Sequence, residues 1–214
     1  MASQTRPPLH NSLQVLNSEK IYRNDKWWKA VVQYEFDQND GNDEVAVYLW
    51  HNDDGWTRKN KYVIKTTEAW ETDKAIVEKS FSGHAAKCST DEFPVSDYYE
   101  LANGETIFQS DGWWKAILKI SQKGSYETEE VMIYLWQEGD EDWRRRQKYT
   151  IKSQEKWGEE RKIIESVLNS DANQDVEDSG THQQSQKDKS ATYSNKVEQL
   201  CNDMDKHLSD HAVK

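Results

Sequence analysis

The sequence predicts an α+β protein: a tandem repeat of two four-stranded antiparallel sheet plus helix (β4α) units, packed as an intramolecular pseudo-dimer with flexible tails. Three observations carry that prediction. "DKWWKAVVQY" (Asp25 to Tyr34) returns as "DGWWKAILKI" (Asp111 to Ile120), so the chain is duplicated. Within each copy an alternating apolar pattern gives way once to helical spacing. Each copy, at about 65 residues, is near the lower limit for a self-sufficient hydrophobic core, and two copies packed together solve that problem.

The duplication is long. Trp27, Trp28, Lys29 and Ala30 match Trp113, Trp114, Lys115 and Ala116, and "EVAVYLW" (Glu44 to Trp50) matches "EVMIYLW" (Glu130 to Trp136) at the same offset. One inserted residue later, Trp56, Arg58, Lys61, Tyr62, Ile64, Lys65, Trp70 and Ile76 return as Trp143, Arg145, Lys148, Tyr149, Ile151, Lys152, Trp157 and Ile163. All 10 tryptophans fall into matched pairs, so none lies outside the repeat.

The elements follow in order. "IYRND" supplies a first short strand. "WWKAVVQYEF" and "EVAVYLW" are rich in β-branched and aromatic residues and flank the turn-forming "DQNDGND", which reads as a hairpin. "WTRKNKYVIK" alternates as a strand with one buried and one wet face does. In "TTEAWETDKAIVEKSF" Thr66 or Thr67 can cap a helix carrying Trp70, Ile76, Val77 and Phe81, and "SQEKWGEERKIIESVL" repeats that pattern. The predicted organisation is a tail over 1–16, repeat 1 over 17–82, a connector over 83–100, repeat 2 over 101–168, a flexible linker over 169–190 and a C-terminal amphipathic helix over 191–214.

Composition narrows the function classes. Hydrophobic content is only 35%, yet 11% aromatic residues is not a disordered composition within the repeats, so polar flanks surround ordered units. Cys88 and Cys201 lie outside the repeats without metal-ligand spacing, and the N-terminus lacks an apolar signal core. A soluble, intracellular protein of cytoplasm or nucleus is expected, with no membrane span, no metal and no cofactor. Val197, Leu200, Cys201, Met204 and Leu208 make a short stripe that suits a protein partner or a frayed helix equally. His207 and His211 sit four apart on it, but without a cluster of further ligands they read as solvated.

The faces of the strands suggest a site. Trp28, Ala30, Val32 and Tyr34 (Trp114, Ala116, Leu118 and Ile120) form an apolar side expected to meet the helix, as are Val45, Val47 and Leu49. Tyr48 and Trp50 (Tyr134 and Trp136) fall on the other face. The opposite side of the second strand carries Trp27 and Lys29 (Trp113 and Lys115), and the fourth strand presents Lys59, Lys61 and Lys65 (Arg144, Arg146, Lys148 and Lys152). Rings interleaved with cations are what an unpaired nucleic-acid strand needs, because bases stack on rings and phosphates meet cations. Adjacent strand residues point to opposite faces, so one Trp of each doublet builds a core and the other a contact surface. A simpler alternative covers the outer face with the other repeat and makes every Trp structural. Net charge of −11 argues against a simple polyanion binder, but the acidic residues collect in turns, helices and tails, while the fourth strands are nearly free of them.

"RKNKYVIKTTEAWETDKAIVEKSF" and "RRRQKYTIKSQEKWGEERKIIESVL" resemble the basic-strand, short-turn, Trp-containing-helix segment of the positive cofactor four type transcriptional coactivators. Their Whirly and Pur relatives share the four-strands-then-helix unit. The resemblance spans the two repeats and implies sheets that bind single-stranded DNA or RNA, with the units paired as a dimer here joined in one chain, alone or as a higher homo-oligomer. It falls on Lys59, Lys61, Lys65 and Trp70, and on Arg146, Lys148, Lys152 and Trp157, the two Trp belonging to the helix core. The doubled Trp and the acidic balance depart from that pattern. "GWWKAILKI" also resembles the entry strand of Tudor and Agenet modules, whose aromatic cages read methylated or basic peptides by cation–π contact. The helix and "RRRQK" fit that fold poorly, so it ranks second. A carbohydrate-binding module ranks third. Catalysis ranks last: no phosphate loop or nucleophile–base set recurs with the repeat, and His51, the sole repeat histidine, has Gln137 as its counterpart.

Overall fold

A computed structural model describes residues 6–36, 43–83, 93–124 and 129–170. The stripe expected over 191–214, and nearly all of the 169–190 linker, lie outside the described residues. Each repeat is a four-stranded antiparallel meander followed by a helix. The first holds β1 (Leu13–Arg23), β2 (Trp27–Phe36), β3 (Asp43–Asn52), β4 (Trp56–Ile64) and α1 (Thr67–Phe81). The second holds β5 (Tyr99–Ser110), β6 (Trp113–Gln122), β7 (Glu130–Glu138), β8 (Trp143–Ile151) and α2 (Gln154–Ser170). No described helix is long and apolar enough to cross a membrane.

Local chemistry sets the element ends. The Thr66 side chain accepts from the Ala69 amide at 3.1 Å and caps α1, with Glu68 in its first turn facing the positive end of the helix dipole. Ser153 does the same for α2 by accepting from the Lys156 amide at 3.2 Å. Asp111 and Gly112, at φ 51° and 73°, make the tight β5–β6 turn, which demands two left-handed residues. Repeat 1 has Asp25 and Lys26 there, and Asn24 instead ties off the loop by accepting from the Lys26 and Trp27 amides. The first strand of each unit is longer than the sequence suggests. β1 starts four residues inside the expected tail and β5 two residues inside the expected connector, because a half-exposed edge strand has only a weak alternating signal.

The helices explain how the repeats meet. The buried stripe of α1 is Trp70, Asp73, Val77 and Ser80, and that of α2 is Trp157, Glu160, Ile164 and Val167. Each helix lies against the other repeat's sheet, α2 on β1 to β3 and α1 on β5 to β7, while the edge strands β4 and β8 run side by side. One core results, shared by Val31, Val47, Tyr62 and Ile64 of the first repeat and Ile117, Ile133, Tyr149 and Ile151 of the second. At its centre Tyr62 stacks on Tyr149 with ring centroids 5.2 Å apart and planes 9° apart, and Trp70 meets Trp157 at 5.5 Å. The Val63 amide on edge strand β4 donates to the Gln147 side chain at 2.8 Å, which satisfies one open edge group.

A carboxylate on a buried helix stripe requires a cation, and each sheet supplies one to the opposite helix. Lys29 reaches Glu160 at 2.6 Å and the Thr150 carbonyl at 3.0 Å, and the Tyr149 hydroxyl donates to the same carboxylate. Lys115 reaches Asp73 at 2.6 Å, joined by the Tyr62 hydroxyl. Burial holds the Lys29 ammonium below its usual range against the pull of Glu160, and it drives both tyrosine hydroxyls well up.

This arrangement corrects the expected faces. Directly paired residues of an antiparallel ladder share a face, and the ladder pairs Trp28 with Trp50, Ala30 with Tyr48 and Val31 with Val47. The helix-side face therefore carries Trp27, Lys29 and Val31, and Trp28, Ala30, Val32 and Tyr34 look outward. Both faces of β2 are apolar, so its pattern alone gave no phase, and Lys29 and Lys115 looked solvent-bound because their carboxylate partners lie in the other repeat.

Candidate nucleic-acid interface

The outer face of sheet 1 is an aromatic cluster of Trp28, Tyr34, Tyr48 and Trp50, with Trp56 at its margin. Tyr48 stacks on Trp50 with centroids 5.1 Å apart and planes at 9°. Sheet 2 repeats the arrangement with Trp114, Tyr134, Trp136 and Trp143, and Tyr134 stacks on Trp136 at 4.8 Å and 12°. The last strand of each sheet lays cations alongside. β3–β4 pairing sets Lys61 beside Tyr48 and Arg58 beside Trp50, and β7–β8 pairing sets Lys148 beside Tyr134 and Arg145 beside Trp136.

Several of these cations touch the rings. Lys61 lies 5.0 Å from the Tyr34 ring centre and 5.6 Å from that of Tyr48, and Lys148 lies 5.4 Å from Tyr99 and 5.6 Å from Tyr134. The Arg23 guanidinium sits 4.0 Å over Trp28 and 5.3 Å from Trp56. Burial holds the Lys61 ammonium down to about 8, opposed by Glu44 and reinforced by Arg58 and Lys65. Burial likewise lowers Lys148, aided by Arg145. Burial would raise the Glu44 carboxyl, but Lys65, the Tyr34 hydroxyl and Lys61 outweigh it and hold the group below its usual range. Tyr48 is pushed up to about 12, chiefly by burial.

The predicted site residues divide into four groups. Lys29 and Lys115 are sealed into the cross-repeat ion pairs and present nothing to a ligand. Trp27 and Trp113 are half-buried on the helix side, Trp27 beside His51 at 4.2 Å, so one surface combining Trp27, Lys29, Tyr48 and Trp50 does not form. Tyr48, Trp50, Tyr134 and Trp136 share the outer faces as expected, but they are 1%, 1%, 3% and 1% exposed. The fourth group reaches solvent: Lys59, Arg144, Arg146 and Lys152 are exposed, Lys65 is exposed and paired with Glu44 at 2.5 Å, and Lys61 and Lys148 are half-buried. Arg146 donates to Gln137 at 2.7 Å, and Arg144 lies 3.8 Å from Asp140. Sequence reasoning missed Arg58, Arg145, Trp28 and Trp114 as members of this face. Their recurrence in the repeat was visible, but the strand register that brings them together was not.

A short segment before the first strand of each unit covers its outer face. In repeat 1 Pro7 is buried and Leu9 packs on the cluster; in repeat 2 Phe93 is buried, stacked 5.3 Å from Trp114, and Val95 packs beside it. The two covers share their hydrogen bonds: the Leu9 amide to the Pro7 carbonyl and the Leu13 amide to that of His10 correspond to Val95 to Phe93 and Tyr99 to Ser96. These positions are 86 residues apart, so the repeat extends into the stretches expected to be tail and connector. Between the second cover and its sheet lies a cavity of about 270 Å³, lined by Pro94, Val95, Tyr99, Tyr134, Trp136 and Arg145 among others.

No protein-family model matches the chain, and neither a curated protein nor a solved structure matches it.

Proposed function

We propose that the chain is a non-catalytic single-stranded nucleic-acid-binding protein of the cytoplasm or nucleus, whose two repeats work as an intramolecular pseudo-dimer. One observation carries the reading: each outer face holds a stacked Tyr–Trp pair with an Arg and a Lys on the neighbouring strand, at Tyr48, Trp50, Arg58 and Lys61 and again at Tyr134, Trp136, Arg145 and Lys148. The rings are buried beneath the cover segments, so they can stack on bases only where a cover is displaced, whereas the cations spaced along the neighbouring strand can follow a phosphate backbone. The exposed Arg144 and Arg146 stand beside Gln137, which pairs with Trp113 on the helix side, so they do not belong to this track.

The Tudor/Agenet-like reading of a methylated or basic peptide has less support, since Arg23, Lys61 and Lys148 already lie over the rings that a peptide cation would take. Titrating labelled single-stranded DNA, single-stranded RNA, duplex DNA and a trimethyl-lysine peptide at two salt concentrations separates the classes. Single strands should bind more tightly than duplex and lose affinity with salt. Peptide binding without oligonucleotide binding refutes the proposal.

A further inference from the structure

We propose that the outer face of sheet 1 is the main strand-binding face, and that residues 7–10 are a strap lying on it in cis, which a single strand must displace. This rests on the nucleic-acid reading and says where the ligand goes. Its basis is an asymmetry between two otherwise duplicate covers.

The second cover is built in. Phe93 is 6% exposed and stacks on Trp114, and the strand beneath makes room for it: a Cβ on Gly104 would stand 2.7 Å from the Phe93 ring and 2.8 Å from Leu118. The indole N–H of Trp114 is satisfied as well, donating to Thr106 at 3.0 Å. The first cover has neither device. Pro7 replaces the phenylalanine and Ser18 stands where Gly104 does, while Pro8 and Leu9 remain only partly buried. Thr106 has Lys20 as its counterpart, and the indole N–H groups of Trp28 and Trp50 are buried with no acceptor among the described residues.

Two buried donors without acceptors are costly, and, with Trp114 paired to Thr106 in the second sheet, they leave the outer face of sheet 1 the less satisfied of the two with its strap in place. A single strand offers what is missing. Its base edges and phosphate oxygens accept from indole N–H groups, its bases stack against Tyr48 and Trp50, and its phosphates meet Arg58 and Lys61. The strap, with one proline and one leucine seated, offers apolar contact and no acceptor side chain between Pro7 and Leu9. A ligand that satisfies donors the strap leaves unpaired has the differential affinity that displacement requires.

The test uses the full chain and a fluorescein-labelled oligothymidylate, with hydrogen exchange as a second readout. Leu9→Asp, or Leu9→Ser if the first variant melts early, should populate the open face and tighten binding by about tenfold. In the wild-type protein, saturating oligothymidylate should speed exchange over residues 7–13 and leave the matching segment 93–99 unchanged. Oligothymidylate binding with unaltered exchange over 7–13 and unaltered affinity in the Leu9 variants overturns the strap while leaving the nucleic-acid reading intact. Failure of the wild-type protein and both variants to bind any oligonucleotide overturns both.

Discussion

Replacing Glu160 with Ala removes the acceptor of a buried cation and leaves the cation behind. Lys29 and Glu160 are 7% and 6% exposed at their side chains, and after the change Lys29 keeps the Thr150 carbonyl at 3.0 Å and the Tyr149 ring at 4.5 Å but no counter-charge. An ammonium sealed in a core without its counter-charge costs about 3–5 kcal/mol, which for a domain of this size lowers the melting temperature by roughly 6–20 °C. The Tyr149 hydroxyl loses its acceptor in the same step, which places the expected loss toward the upper end. Replacing both partners, Lys29→Met with Glu160→Leu, removes the charge as well as the pairing and should recover most of the loss. Urea melts of the two single variants and the double variant measure this as a coupling free energy. A Glu160→Ala protein within ~1 kcal/mol of wild type would mean that Lys29 reaches water, and the shared core would not be sealed as described.

The remaining predictions test the faces, the titration and the unity of the repeats. Trp28→Ala opens the outer aromatic cluster and should cost ~3–5 kcal/mol, whereas Trp27→Ala, at a half-buried position beside His51, should cost about 1 kcal/mol; thermal melts compare them. Lys61 has a folded pKa of about 8, below its unfolded value, so it loses its charge as pH rises through 8. Oligonucleotide affinity should therefore fall between pH 7 and 9, and Lys61→Arg, charged throughout, should flatten that part of the profile in parallel titrations. Residues 6–83 produced alone lose the α2 stripe that covers the inner face of sheet 1, and should be unfolded or self-associated by circular dichroism and size-exclusion chromatography, whereas 6–170 should be monomeric and cooperative.

Much of the fold was legible because duplication tests every reading twice. A strand or helix that recurs with changed residues but the same pattern, as in "TTEAWETDKAIVEKSF" and "SQEKWGEERKIIESVL", is supported by two independent sequences. The phase of β2 was not legible. Val31 and Val32 are both buried, one in each core, so alternation along the strand carries no direction. The burial of Lys29 was hidden for a related reason: its partner Glu160 is 131 residues away in a helix of the other repeat, and a local pattern holds no trace of that contact. The straps were missed because Pro7 to Leu9 and Phe93 to Val95 share only one identical residue, the proline at their centre, too little for a repeat to be seen. Arg58 and Arg145 recur in the repeat, but they join the site only through a register shift between the third and fourth strands.

The measurement that bears most directly on the central claim is the salt dependence of single-strand binding with Arg58 and Arg145 both changed to Ala. Both side chains are exposed, and each stands beside the Trp of its stacked pair. If each holds one phosphate, the slope of log affinity against log salt should become shallower by about 1.4 while the melting temperature stays within a few degrees. An unchanged slope and affinity in a folded double variant would contradict the claim that these two faces follow a nucleic-acid backbone.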